Sequence, residues 1–477
     1  MEYIENLDYQ KKEFEEECKK EQEQEYSKRL VEANERKARI NAKREQMPIV
    51  FPDKTSKGNA KKTLHNFKLV LFMYEISLKY DVIKRELMYS IGDKVPKRDY
   101  DNFLTYCVDI CCESGLPATR IDIHNWLYYI ANEGRFNAVK NMLQEFHSKY
   151  NIQPNDTSEF EKLMDCIKFQ GDADFSRTLV KKALWQAVAM VHNENGEYGA
   201  DGALTIQGNQ GIGKTSFLRK MCECFGLQYF RESGAFNQNS LKDDVLQNTS
   251  YFICELGEAG SSLSQVDWLK RFITNPTDEI RPPYGMKAKV SPRLTTFFLT
   301  INDLCFLRDT ENRRYWTVQI KDFALNEINN INFGKMWAEV YRMYLNNPVG
   351  FRLTVDERKQ LQKINSDFRI YTREEQVLRD AYDWEQPVED WKEKTSTEIA
   401  TEVLEITGQR ISPQKIGKAL AGFGYSKESE KYQKRILDGK TLYLVPKVIA
   451  KMETGQPFDN SSRGKVIPIL QNETKKA

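Results

Sequence analysis

The run Gly208-Asn209-Gln210-Gly211-Ile212-Gly213-Lys214-Thr215 has the spacing G-x-x-x-x-G-K-S/T of a phosphate-binding loop. Its glycines let backbone N–H groups turn toward an anion at a helix N-terminus. Lys214 has the reach and charge for β/γ-phosphates, and the Thr215 hydroxyl suits a Mg²⁺ ion. Context matters as much as spacing. Ala203 to Gln207 reads as a buried strand before the loop, and Ser216 to Cys222 as a helix after it. Gly208 through Ser216 is therefore the expected binding stretch for ATP with Mg²⁺, against the alternative of a glycine-rich turn with an incidental lysine.

Such a loop serves kinases, GTPases and motor ATPases alike, so later residues decide the class. Tyr251-Phe252-Ile253-Cys254-Glu255 is an apolar run ending in an acid, as expected of a buried parallel strand that delivers a carboxylate to Mg²⁺. Glu258 adds a second carboxylate in the turn beyond. One of the two serves the metal shell and the other polarises the attacking water; the spacing does not divide these roles. Thr296 to Asn302 reads as a second buried strand, and its terminal amide, Asn302, is placed to sense a γ-phosphate or orient water. Arg313 and Arg314, beside Tyr315 and Trp316, suit forked binding of phosphate charge, in cis or on a neighbouring subunit's nucleotide. Surface pairing with Asp303 or Asp309 is the alternative for them.

Between the acid strand and the Asn302 strand lies a segment punctuated like a hairpin, Glu279 to Arg293, with Pro282, Pro283 and Gly285. Arg281, Lys287, Lys289 and Arg293 beside Tyr284 read as a basic finger that tracks phosphates while an aromatic stacks a base. A connecting hairpin with solvated lysines is the other reading.

These elements together resemble the virulence-associated E proteins of phages and mobile genetic islands, grouped with the superfamily 3 helicase-like AAA+ ATPases. Similar are the loop Gly208 to Thr215, Glu255-Leu256-Gly257-Glu258, Arg281-Pro282-Pro283-Tyr284-Gly285, Thr300-Ile301-Asn302, Phe306-Leu307-Arg308-Asp309 leading to Asn312-Arg313-Arg314, and Met336-Trp337-Ala338-Glu339. The resemblance covers about Thr63 to Tyr344. It implies a hexameric or similar ring ATPase that moves on single-stranded DNA during replication, with replication proteins such as a primase or origin-binding factors as further partners. Glu311 departs from the pattern, since the family often has Gly before its Asn-Arg-Arg. Many relatives carry an N-terminal primase domain; no room for one is read here, and primer synthesis is not expected.

Positioning these groups takes several domains, and 477 residues at 40% hydrophobic can supply them. The fold class expected is α/β: a P-loop AAA+ core with a parallel sheet, a helical N-terminal domain and a C-terminal winged-helix domain. Residues 1–60 read as a charged helical arm, 61–195 as a helical domain, 196–350 as the ATPase core, 351–394 as a helical linker, 395–448 as the winged-helix module and 449–477 as a disordered tail. In that module Ser412-Pro413 starts a second helix and Asp438-Gly439 turns a hairpin, so Lys415, Lys418, Lys434, Arg435 and Lys440 would face duplex DNA, unless the module serves protein contacts.

A net charge of +2, from 71 Lys+Arg against 69 Asp+Glu, gives no average argument for nucleic acid, so any basic surface must be local. No run of about 18 apolar residues occurs, so a membrane span is not expected, and the reading is a protein of the bacterial host cytoplasm. The nine scattered cysteines predict neither disulfides nor a zinc site. The function expected is an ATP-dependent DNA helicase or replication initiator, a ring on single-stranded DNA with duplex or origin binding at its C-terminus. An ATP-gated DNA-binding switch or helicase loader that does not unwind is the alternative. A nucleotide-dependent defence or signalling protein is a third reading, against which the basic segment argues.

Overall fold

The computed structural model describes residues 38, 49–92, 99–153, 155–234, 241–257, 263–280, 289–307, 312–425, 432–437 and 439–449. The chain divides between Ala138 and Val139 into two units.

In the first unit, helix α1 (Leu64–Met73) starts at Thr63, whose side chain accepts from the Asn66 N–H. Strands β1 (Ile76–Asp81) and β2 (Glu86–Ile91) pair antiparallel, Ile76 opposite Ile91. Helices α2 (Tyr100–Glu113) and α3 (Arg120–Glu133) follow, and β3 (Arg135–Phe136) joins β1 in parallel. The core gathers Phe67, Val70, Phe103, Cys107 and Leu127. The segment expected as a helical domain thus contains a hairpin. Glu75 takes φ 56° after the helix, and beyond it apolar residues recur at every second position, Leu87, Tyr89 and Ile91, a period that suits a strand.

The second unit carries the rest of the expected helical domain, so the 61–195 boundary is not the one the fold uses. Helices α4 (Ala138–Tyr150) and α5 (Ser158–Asp165) lead to strand β4 (Ile167–Gln170), and β4 pairs antiparallel with β11 (Tyr315–Phe323), tying this stretch to the main sheet. Helix α6 (Ala173–His192) follows. The sheet also contains β5 (Ala203–Gln207), β6 (Phe230–Gly234), β7 (Ile253–Gly257) and β10 (Thr296–Ile301), in the order β4-β11-β5-β10-β7-β6. All pairs except β4–β11 are parallel. β5 and β10 are buried at every position, as strands covered on both faces must be, which explains their unbroken apolar text.

Around the sheet lie α7 (Lys214–Cys222), α8 (Leu241–Asn248), α9 (Leu263–Thr274), α10 (Leu325–Ile328) and α11 (Phe333–Asn346), with a separate hairpin β8 (Thr277–Ile280) and β9 (Lys289–Pro292). Trp337 of α11 is fully buried and donates from Nε1 to the Met221 carbonyl at 2.7 Å, so it braces the helix that follows the phosphate loop. Glu339 accepts from the Glu159 and Phe160 N–H groups at the start of α5, while Glu159 accepts from the Asn332 N–H at the start of α11. Each helix thus supplies a carboxylate to the other's N-terminus. Burial pushes the Glu339 carboxyl above its ordinary range.

Helices α12 (Val355–Asp367) and α13 (Arg373–Ala381) come next, then β12 (Lys392–Thr395), α14 (Ser396–Thr407), α15 (Pro413–Gly422), β13 (Lys434–Leu437) and β14 (Lys440–Val445), the three strands ordered β12-β14-β13. Val377, Leu378, Ala381 and Tyr382 share a core with Ile399, Val403, Ile416 and Leu420. The C-terminal module accordingly begins near α13, earlier than residue 395, because α13 buries its apolar face there. Gly439 takes φ 72° in the turn from Leu437 to Lys440, where a Cβ would be strained. No helix among the described residues is long and apolar enough to cross a membrane.

Candidate active site

The phosphate loop joins the end of β5 to α7. Gly211 and Gly213 take φ 86° and 93°, which L side chains rarely adopt, and Gly213 directly precedes the first helical residue, Lys214. A Cβ on Gly208 would lie 2.5 Å from the Ile320 carbonyl oxygen, so the loop starts where only glycine fits against β11.

Lys214 is buried. Its Nζ donates to the Gly208 and Asn209 carbonyls at 2.8 and 2.9 Å and to Asn302 Oδ1 at 2.8 Å. Asn302 can reach it because β10 lies between β5 and β7, bringing the end of the amide strand beside the loop. On the other side of β10, Glu255 of β7 is buried, and its Oε1 accepts from Thr215 Oγ1 at 2.6 Å and Thr300 Oγ1 at 2.8 Å. These groups surround a cavity of about 540 Å³ lined also by Gln210, Gly211, Gly213 and Ser216, at the carboxyl ends of the parallel strands. That size and position suit a small charged ligand. A hydroxyl and a carboxylate side by side are oxygen donors for a hard cation, and the buried ammonium opposite them suits a phosphate chain.

Two contributors had no expected role. Thr300 shares a strand face with Asn302, two residues on, and fixes the Glu255 carboxylate from β10; that period-two relation is the signal that points to it. Gln207 is buried at the end of β5, and its Nε2 donates to the Asn302 carbonyl at 3.2 Å. Only strand order reveals that contact.

Arg313 and Arg314 stand apart from this cavity. Tyr315 pairs with Ala203 and Gln319 with Gln207, so both arginines precede β11 at the edge where β5 begins. The phosphate loop leaves the opposite edge, about 20 Å away at ~3.3 Å per strand residue. Arg313 is exposed and Arg314 half-buried, and among the described residues neither pairs with Asp303.

Arg293 corrects an expectation. It is 1% exposed, donates from Nε to Asp278 Oδ1 at 3.0 Å, forms an ion pair with that carboxylate, reaches the Phe272 carbonyl and stacks 4.0 Å over the Phe272 ring. A side chain so enclosed closes the base of the β8–β9 hairpin and is not a DNA contact. Glu258, Arg281, Tyr284, Lys287, Asp309 and Glu311 lie outside the described residues, as does the side chain of Lys289.

In the C-terminal module Lys415, Lys418, Arg435 and Lys440 are exposed and Lys434 is half-buried. Lys415 pairs with Glu374 at 2.7 Å and Arg435 with Glu393. Exposed pairs of this kind are weak and exchange readily for other anions.

Residues 149–370 match the family model described as the virulence-associated protein E-like domain. The chain carries a virulence-associated protein E-like domain. This domain begins near the end of α4 and ends just after α12, so it takes in the whole six-stranded sheet, the phosphate loop, Glu255, Asn302 and the arginine pair. Among solved structures, the apo NrS-1 C-terminal region is similar at 12% identity and TM-score 0.41, over 80% of this chain and 98% of that one. A JCV helicase with a bound thiazolopyridinyl-phenoxyphenyl acetamide is similar at 10% identity and TM-score 0.26, over 57% and 81%. No curated protein sequence matches the chain significantly.

Proposed function

We propose that the protein is an ATP-dependent DNA helicase or replication initiator of a phage or mobile genetic island, working as a homo-hexameric or similar ring on single-stranded DNA. Its core is read as a superfamily 3-like AAA+ ATPase, and its C-terminal module, with the order α13-β12-α14-α15-β13-β14, as a winged helix that engages duplex or origin DNA.

The observation that carries this reading is the separation of two half-sites across one sheet. Lys214, Thr215, Glu255 and Asn302 meet at the carboxyl edge, while Arg313 and Arg314 stand at the amino edge, out of reach of their own phosphate loop. A second subunit that sets its amino edge against the first one's cavity would unite them, so hydrolysis would depend on assembly.

In the reaction, Lys214 would hold the β/γ-phosphates as a point charge and Asn302 would orient the attacking water near the γ-phosphate. Glu255, kept in place by Thr300, would accept the water's proton or hold the metal together with Thr215. Mg²⁺ would neutralise phosphate charge there. An arginine from the neighbouring subunit would offset charge that grows on the transferred group.

The test is unwinding of a forked duplex. ATP-dependent strand separation that disappears in Lys214→Ala supports the motor. DNA-stimulated hydrolysis without separation supports the alternative, an ATP-gated DNA-binding switch or loader. Hydrolysis indifferent to every form of DNA refutes both.

A further inference from the structure

One helix end contacts described residues on the way from Asn302 to the arginine pair. Asn365, in the last turn of α12 and fully buried, directs its Nδ2 to the Asn312 carbonyl at 3.2 Å, Asn312 Oδ1 at 3.1 Å and the Tyr315 carbonyl at 2.9 Å. Beyond it, the Phe368 carbonyl accepts from the Phe306 and Leu307 N–H groups at 2.9 and 3.0 Å, and the Ile370 N–H returns to the Leu307 carbonyl at 2.6 Å. The strap 365–370 therefore holds Phe306 and Leu307, four and five residues past Asn302, and Asn312, which directly precedes Arg313.

The same strap is docked on the C-terminal module. Arg369 pairs with the buried Glu375 and donates to the carbonyl of Gly422, the last residue of α15. Glu375 also caps α13, accepting from the Thr372 N–H at 2.7 Å. The fit leaves no slack: a Cβ on Gly422 would lie 1.9 Å from Glu375 Oε1. α15 carries Lys415 and Lys418 on its exposed side, so its far end rests on the strap while its surface faces outward.

Buried, directional contacts of this kind do not stretch; a displacement at one end is passed on or the contact breaks. We propose that the strap 365–370, docked through Arg369 on Glu375 and Gly422, couples duplex engagement by α15 to the placement of Arg313 and Arg314, with Asn365 as the positioning residue for that pair. The inference rests on the reading of α15 as a duplex-binding helix and of the arginines as completing a neighbour's site.

Hydrogen exchange on the full chain, with and without saturating duplex DNA, tests it. In the wild type, duplex should change protection of the Phe306, Leu307 and Ile370 amides by about fivefold, the low end of typical coupling between sites. Arg369→Met with Glu375→Gln should bind duplex with unaltered affinity and lose that change. Should the double variant fail to fold, Gly422→Ala wedges the end of α15 off the strap without removing a charge and reads the same amides. Asn365→Ala should lower kcat for DNA-stimulated hydrolysis by up to about 100-fold, as a small misplacement of a catalytic group does, with nucleotide affinity unchanged. Duplex binding that leaves those amides unmoved, or a folded variant that keeps the change, overturns the coupling and leaves the proposed function standing. A chain that binds no duplex overturns the reading beneath it, and the coupling with it.

Discussion

Lys214 Nζ and Asn302 Oδ1 lie 2.8 Å apart, joining the phosphate loop to the end of the next strand through one hydrogen bond. An ammonium that touches a side-chain amide and two loop carbonyls is both a binding group and a brace for the loop.

Removing either end should separate these duties. Lys214→Ala should weaken nucleotide binding and cut hydrolysis by about 100-fold or more, the scale of losing a preorganised charge at a reacting phosphate. Asn302→Ala should cut kcat to a similar degree and leave affinity for a fluorescent nucleotide within about threefold, because the lysine keeps its loop partners. Equal loss of affinity in both variants would contradict the division.

Mixed assemblies test the arginines. Lys214→Ala and the double variant Arg313→Ala/Arg314→Ala should each be inactive alone. Mixed in equal amounts, they should regain a measurable fraction of hydrolysis, since a double-variant subunit keeps an intact loop and can borrow arginines from a Lys214→Ala neighbour. Single variants in the same mixtures assign the finger to Arg313 or Arg314. No recovery at any ratio would sink the two-subunit site.

Arg293→Ala should destabilise the β8–β9 hairpin by about 3–5 kcal/mol, because the buried Asp278 carboxylate loses the guanidinium it pairs with. Arg293→Met with Asp278→Leu should recover most of the loss. Hydrogen exchange of Asp278 and Glu279 reads both. A surface contact would instead leave exchange untouched and reduce only DNA affinity.

His192 sets a pH dependence. Burial holds its imidazole below the ordinary histidine value, and among the described residues the buried Nε2 has no hydrogen-bond partner while Nδ1 meets the Val188 carbonyl at 2.8 Å. The folded chain therefore favours the neutral ring, and the unfolded chain binds the extra proton first. Stability from this group is complete above the unfolded value of about 6.5 and falls as pH drops through it toward the depressed folded value. Thermal melts between pH 8 and pH 5 should show a fall in wild type that His192→Phe reduces.

Much of the candidate site was legible because its residues are local in sequence. The loop glycines, Lys214 and Thr215 sit within one turn, and the apolar runs that end in Glu255 and Asn302 follow from burial on both sheet faces. The β1–β2 hairpin was harder to read, since a short apolar stretch fits helix and strand alike until the residue at positive φ is known. Arg293 was misread for a related reason: a basic residue in a lysine-rich stretch looks solvated unless its buried carboxylate partner, 15 residues earlier, is known to be opposite.

From its sequence alone the chain determined which groups stand as candidates for a phosphate and metal site, and roughly where strands and helices must lie to carry them, because short-range spacing and hydrophobic period fix those features. Tertiary structure alone decided the order of the strands. That order sets Asn302 against Lys214, brings Thr300 and Gln207 into the site, puts Arg293 in the interior and leaves Arg313 and Arg314 at the opposite edge. Pairing between distant segments is chosen by the burial and hydrogen bonding of the whole sheet, which no local window contains.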